Sequence, residues 1–250
     1  VFDFNLFLSF YIGATTGFLI GLFGSHHIFN RPLEDSVAIG FCCLFSNTVM
    51  LGLPITERAY GEEALQHNFA IIAIHAPFCY FLGITVMEFI KSTDKSISNK
   101  GVIILRAMFS NALVVGIVAG VLVNAFGINL ARPIQASIDM ITAVALPVAL
   151  FGMGGVLYQY RPEGDLGPIA MICTVSLLIH PILVWITGLN LNLNEVQLRS
   201  AVITAAMAPG INTYVFANMY GKAKRIASTG VLLSTALSIG TVWIWLNFLA

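Results

Sequence analysis

The sequence predicts an all-α integral membrane protein with an inverted-repeat architecture, and three observations carry that reading. The 250-residue chain is 58% hydrophobic and only 10% charged, with a mean hydropathy of +0.87. Soluble domains carry about a quarter of their residues as charges, so this chain could not cover a water-facing surface and must turn apolar side chains to lipid. Its apolar residues also fall into runs of about 20, the length a helix needs to cross the hydrocarbon core. Finally, two of those runs share a polar centre that contains both Gly and Pro.

Eight spans follow, at 4–24, 37–56, 68–90, 107–126, 134–158, 168–189, 200–219 and 227–249. A closed barrel would need short strands of alternating polarity, whereas 112–126 and 141–158 are apolar all round. The first span begins almost at Val1, with no basic segment of the kind that opens a signal peptide. The second holds FSNTVMLGLP at 45–54. In the third, His75 precedes Pro77, and Glu88 near the end reaches the interface. The fifth carries Asp139 near its outer end, then Pro147, Gly152, Gly154 and Gly155, which suit close helix contact or a hinge. His180 and Pro181 mark the sixth, and the seventh holds APGINTYVFA at 208–217.

Basic residues orient the spans. Arg31, Lys91, Lys95, Lys100, Arg106, Arg161, Lys222, Lys224 and Arg225 follow odd-numbered spans, against Arg58, Arg132 and Arg199 on the other side. Nine against three places the first set in the cytoplasm and both ends of the chain outside. The expected location is therefore the cytoplasmic (inner) membrane, crossed many times. Zero formal net charge gives no footprint for nucleic acid. The four cysteines have no CxxC spacing, His26-His27 has no further ligands nearby, and no metal site or cofactor is expected.

The second and seventh spans both end in Tyr-Gly, at Tyr60-Gly61 and Tyr220-Gly221, and their neighbours correspond in order. Spans one to three then match spans six to eight, five helices apart. An odd offset gives the copies opposite orientation, as in many secondary transporters. The partition is 4–90 as core helices of the first repeat, 91–106 as a cytoplasmic linker, 107–158 as scaffold helices and 168–249 as core helices of the second repeat. Spans four and five lack partners, so the eight read as part of a ten-helix parent, with a natural eight-helix form as the alternative.

Pro54 removes a backbone donor and Gly52 eases a non-helical conformation; Pro209 and Gly210 do the same in the seventh span. Interrupted helices at matching places in two repeats point to a midplane binding site. Ser46, Asn47 and Thr48 sit at one break, Asn212 and Thr213 at the other. Half-helix N-termini offer N–H groups and partial positive charge, and Asn adds donors without a buried charge, so the chemistry favours an anionic or polar solute. The plainer alternative is that these side chains only hold each break together. Asp139 is a candidate cation or proton site, or else an interfacial carboxylate. His75 and His180 read first as hydrogen-bonded structural residues.

The motifs FSNTVMLGLPITERAYG at 45–61, SNALVVGIVAG at 110–120, ALPVALFGMGGVL at 145–157 and APGINTYVFANMYG at 208–221 together resemble the auxin efflux carrier family. That family includes plant auxin exporters and bacterial permeases assigned to malonate and malate. The resemblance runs from the family's third helix to its tenth and implies a ten-helix fold of two inverted repeats, related to the bile-acid sodium symporters. It implies that the two broken helices cross at their prolines, Pro54 and Pro209, that Asn47 meets a substrate carboxylate, and that the prolyl motif is Pro209-Gly210 with Asn212 behind it. It further implies a mobile core moving against a scaffold, and a homodimer through the scaffold helices. The expected function is a secondary transporter of small organic anions such as mono- or dicarboxylates, working by alternating access. Coupling to H+ or Na+ is open. A channel and a solute-sensing receptor are the rivals; no catalytic residue is assigned, because no nucleophile or metalloprotease motif occurs.

Overall fold

The computed structural model describes residues 3–91, 112–159 and 165–250, and their regular structure is helical. Helix α1 (Phe4–His27) starts where the Asp3 carboxylate accepts the Asn5 N–H at 2.8 Å, satisfying a donor that the first turn leaves open. Helix α2 (Leu33–Leu44) follows Pro32, with Glu34 and Asp35 in the first turn, where the helix dipole favours carboxylates. The chain then runs extended through 45–47, turns through a π-helical segment (Thr48–Gly52) and continues as α3 (Leu53–Tyr60). Gly61, at φ +79°, ends it. Next come α4 (Glu62–Lys91), α5 (Ala112–Ala125) and α6 (Arg132–Gln159). A second rod is continuous over α7 (Leu166–Thr174), a π turn (Val175–Ile179) and α8 (His180–Asn190). Helix α9 (Glu195–Ala205) opens with a reciprocal Asn194–Gln197 cap, α10 (Asn212–Tyr220) ends at Gly221 with φ +70°, and α11 (Lys224–Phe248) closes the chain.

Among the described residues, Phe4–His27, Ala64–Lys91, Leu166–Asn190 and Lys224–Phe248 are long and apolar enough to cross a membrane unaided. The expected spans 37–56 and 200–219 are each two half-helices. Their pieces of 12, 8, 11 and 9 residues rise about 1.5 Å per residue, so none alone reaches the roughly 30 Å of a hydrocarbon core. The linker from residue 92, the start of the 107–126 span, Ser110, Asn111 and Arg161 lie outside the described residues.

Lipid tails are as apolar as leucine, so close contact and interhelical hydrogen bonds hold such a bundle more than hydrophobic burial does. The α1–α2 seam shows the first. A side chain on Gly21 would come within 2.8 Å of the Gly40 Cα and the Cys43 sulfur, and one on Gly17 within 2.8 Å of the Cys43 carbonyl. The second appears as Tyr11 donating to the Ile71 carbonyl at 2.9 Å, Trp245 to Leu177 at 3.1 Å, and Ser200 to Ala64 at 3.0 Å. Asn68 donates to both Thr56 (3.1 Å) and Thr204 (2.7 Å), tying α4 to α3 and α9.

Both π turns stand two residues ahead of a proline, Pro54 and Pro181. A proline inside a rod leaves a carbonyl one turn earlier without its donor, and shifting the ladder to i→i+5 absorbs that mismatch. Polar contacts gather at the two ends. Arg31 meets Asp165 at 2.5 Å, Lys222 pairs with Glu34, and Asp35 accepts the Ala223 N–H at 3.1 Å, so the loops after the first, fifth and seventh expected spans converge. The Gly167 N–H, and then Arg31, hold the Asp165 carboxyl below its usual range, while Glu34 raises the Lys222 amine. At the other end Gln197 donates to Asp3 at 2.7 Å, and Arg199 pairs with Glu195 at 2.7 Å.

Candidate functional site

The two interrupted helices meet backbone to backbone. Asn47 donates its N–H to the Ala208 carbonyl at 2.8 Å, and Gly210 donates to the Phe45 carbonyl at 2.9 Å. These two bonds flank an antiparallel bridge that sets Ser46 opposite Pro209. In such a pair the central residues exchange no hydrogen bonds, so the missing N–H of Pro209 costs nothing here. The same proline could not sit inside a continuous helix without breaking the ladder. Its neighbour Gly210 packs closely: a side chain there would displace the Phe45 ring slightly, at 3.3 Å, and meet the Asn47 Cα in ordinary contact at 3.6 Å.

Four half-helices end at this crossing. The chain after α2 and α9 presents helix C-termini, while the π turn at Thr48 and helix α10 at Asn212 present N-termini. Partial positive charge at the second pair favours an anion, and partial negative charge at the first favours a cation. No ion pair of the described residues reaches the crossing, so these dipoles and neutral amides set its polarity.

The expected site residues are drawn together here, each with a defined task. Asn47 is buried, and its Oδ1 accepts the Met50 N–H at 3.2 Å, capping the π turn. The Ser46 hydroxyl lies 3.4 Å from His180 Nδ1. Thr48 is buried beside them. Thr213 is fully buried and donates to the Gly210 carbonyl at 2.8 Å, which stiffens the second break. Asn212 is half-buried, and its Oδ1 accepts the Tyr80 hydroxyl at 3.3 Å. Gly52 ends the π turn, and Pro54 lies in the first turn of α3, where its absent N–H is not needed. The first chain thus crosses at Ser46, eight positions before Pro54. Asp139 is exposed on α6 and accepts from Gln135 at 2.8 Å, with no bond to the crossing.

Three neighbours escaped the sequence as site residues. Tyr80 carried no signal, being one more aromatic in an apolar span. His75 and His180 were visible beside their prolines, but not their approach to the crossing. Both are buried, and both rings stand edge-on to Phe10. Next to the crossing runs a groove of about 740 Å³ between α3 and α11, lined by Leu51, Pro54, Ile55 and Trp243 among others, with Arg58 its single charged residue. Among the described residues no group of three His, Cys, Asp or Glu could hold a metal ion, and the cysteines are free and buried.

Residues 1–246 match the family model described as "Membrane transport protein". A protein of Rhizobium meliloti (strain 1021) named "Putative malonate transporter" is 25% identical over 227 residues, covering 90% of this chain and 69% of its own length. The Arabidopsis thaliana protein named "Auxin efflux carrier component 8" is 23% identical over 241 residues, covering 78% of this chain and 66% of its own length. The chain thus spans about two thirds of each relative.

Proposed function

The chain belongs to the membrane transport protein family, that of the auxin efflux carriers, and from that premise we propose that it carries small organic anions across the inner membrane by alternating access. The observation that carries this reading is the crossing itself. Two helix N-termini and two asparagine amides converge where neither segment is helical. Irregular backbone at membrane depth belongs where protein buries it or where it lines a cavity, and in inverted-repeat transporters such breaks mark the solute site. The names of the two relatives, a malonate transporter and an auxin efflux carrier, support a carboxylate as the solute.

In this scheme the anion sits against Asn212 and the first turn of α10, with Asn47 and Thr48 opposite. Ser46 and Thr213 keep the breaks open. The segments 4–90 and 168–249 act as inverted copies of a core, in the manner of the bile-acid symporter fold. Helices α5 and α6 belong to the scaffold through which two copies would pair. Uptake of labelled C3–C5 mono- and dicarboxylates into proteoliposomes tests the reading. Accumulation above protein-free vesicles, saturating with solute and cut roughly tenfold or more by Asn212→Ala, is expected from the loss of one hydrogen bond to a charged group. Currents far above carrier turnover would identify a channel instead.

A further inference from the structure

Two buried histidines converge on the crossing from opposite halves of the chain. His75 lies inside α4, one turn before Cys79, and His180 opens α8 directly after the π turn. Their rings stand edge-on to the same Phe10 ring of α1, with centroids 5.6 and 5.2 Å away. Ser46, the central residue of the bridge, touches both: its hydroxyl lies 3.4 Å from His180 Nδ1, and its backbone faces His75. His180 is buried, the Phe10 backbone approaches its ring, and its Nε2 makes no well-formed hydrogen bond.

A buried nitrogen without a good hydrogen bond is costly, so the His180 ring has a position that a proton and its partner can engage, while His75 is already held by Cys79 and the Ser46 backbone. The surroundings of the pair are otherwise neutral. From α1 comes Tyr11, whose hydroxyl is engaged with the Ile71 carbonyl at 2.9 Å. From α4 comes Cys79, its sulfur 3.7 Å from His75 Nδ1. The crossing contributes the Phe45 ring, 4.8 Å from that of His75. No carboxylate, lysine or arginine among the described residues pairs with either ring. Tyrosine hydroxyls and cysteine thiols ordinarily titrate well above neutrality, leaving imidazole as the group here whose ordinary range lies near pH 7. Two imidazolium ions around one phenyl ring would repel, so the pair accepts one proton and not two. The Ser46 hydroxyl can donate or accept, and so can follow a change of tautomer.

We propose that His75 and His180 together form a one-proton site, loaded when an organic anion sits at the crossing and emptied when it leaves. The proposal rests on the transport reading above. Hydronium gives its proton to a ring nitrogen, one N–H bond forms and water departs. The imidazolium then cancels one negative charge of the bound anion, which leaves a monocarboxylate neutral and malonate with a single charge and lowers the desolvation cost of both partners. By linkage, whatever the proton does for the anion the anion does for the proton.

Titration calorimetry with malonate, on the protein in lipid nanodiscs and in two buffers of different ionisation enthalpy, reads this directly. Wild-type protein should take up about one proton per malonate bound, and malonate affinity should rise roughly tenfold between pH 8 and pH 7, as one-for-one linkage requires. His75→Gln and His180→Gln should each abolish the uptake and flatten that slope. Malonate binding to the wild-type protein without proton uptake overturns the proposal and needs no variant to do so. Uptake that survives in both variants overturns it equally. No binding of malonate or of any C3–C5 carboxylate overturns the transport reading, and this site with it.

Discussion

The two interrupted helices leave their ladders at one shared bridge but resume in different ways. The first restarts through a π turn, and its own Asn47 side chain caps that turn by accepting the Met50 N–H. The second restarts directly as α-helix, with Thr213 bonding back to the Gly210 carbonyl and the Asn212 side chain directed to Tyr80. Asn47 is thus committed to the local backbone and buried, while Asn212 is half-buried and held by another helix. The two asparagines have divided the work: one builds its break, and the other is presented by it.

That division can be broken by substitution. Asn47→Ala has the largest expected effect, because it removes both a cap and an amide of the proposed site. Flux in proteoliposomes should fall roughly tenfold to a hundredfold, and stability by about 1 kcal/mol, read as a lower midpoint in thermal unfolding. Asn47→Ser separates the two roles, since serine caps nearly as well as asparagine but lacks the amide donors. Its thermal midpoint should return to the wild-type value while flux stays low; a variant that recovers both would make Asn47 wholly structural. Thr213→Val should cost about 1 kcal/mol through the lost bond to Gly210, with a smaller loss of flux, because its hydroxyl is already engaged. The smallest effect is at the polar end. The Gly167 N–H and Arg31 hold the Asp165 carboxyl low, so its contribution is present above the ordinary carboxylate value and lost as pH falls through the folded one. Thermal midpoints of wild type and Asp165→Asn should differ slightly at neutral pH and converge in acid.

Much of the fold was legible because membrane spans announce themselves by length and apolarity. The rods α1, α4, the α7–α8 rod and α11 lie within a few residues of their expected bounds. The breaks were legible for a related reason: Gly and Pro are the residues a continuous helix tolerates least. Their location was less so. Pro54 advertised the first interruption, yet it starts a helix comfortably, and the chain crosses at Ser46. That choice depends on which residue of the other strand faces it, and Pro209 fits opposite Ser46 because no bond is asked of it there. Such pairing is a property of two distant segments, which composition along one cannot reveal. His75 and His180 illustrate the same limit. Each is a lone imidazole in an apolar run, and only the fold brings both against Phe10.

The bridge at the crossing is made by main-chain atoms alone: Asn47 to Ala208 and Gly210 to Phe45. Main-chain bonds are indifferent to the side chains that decorate them. In the proposed site a descendant could therefore exchange Ser46 or Thr48 for residues that prefer a different solute without first having to relearn how its two broken helices meet. The junction supplies constancy, the side chains around it supply variety, and a lineage built on this plan can change its diet while keeping its anatomy.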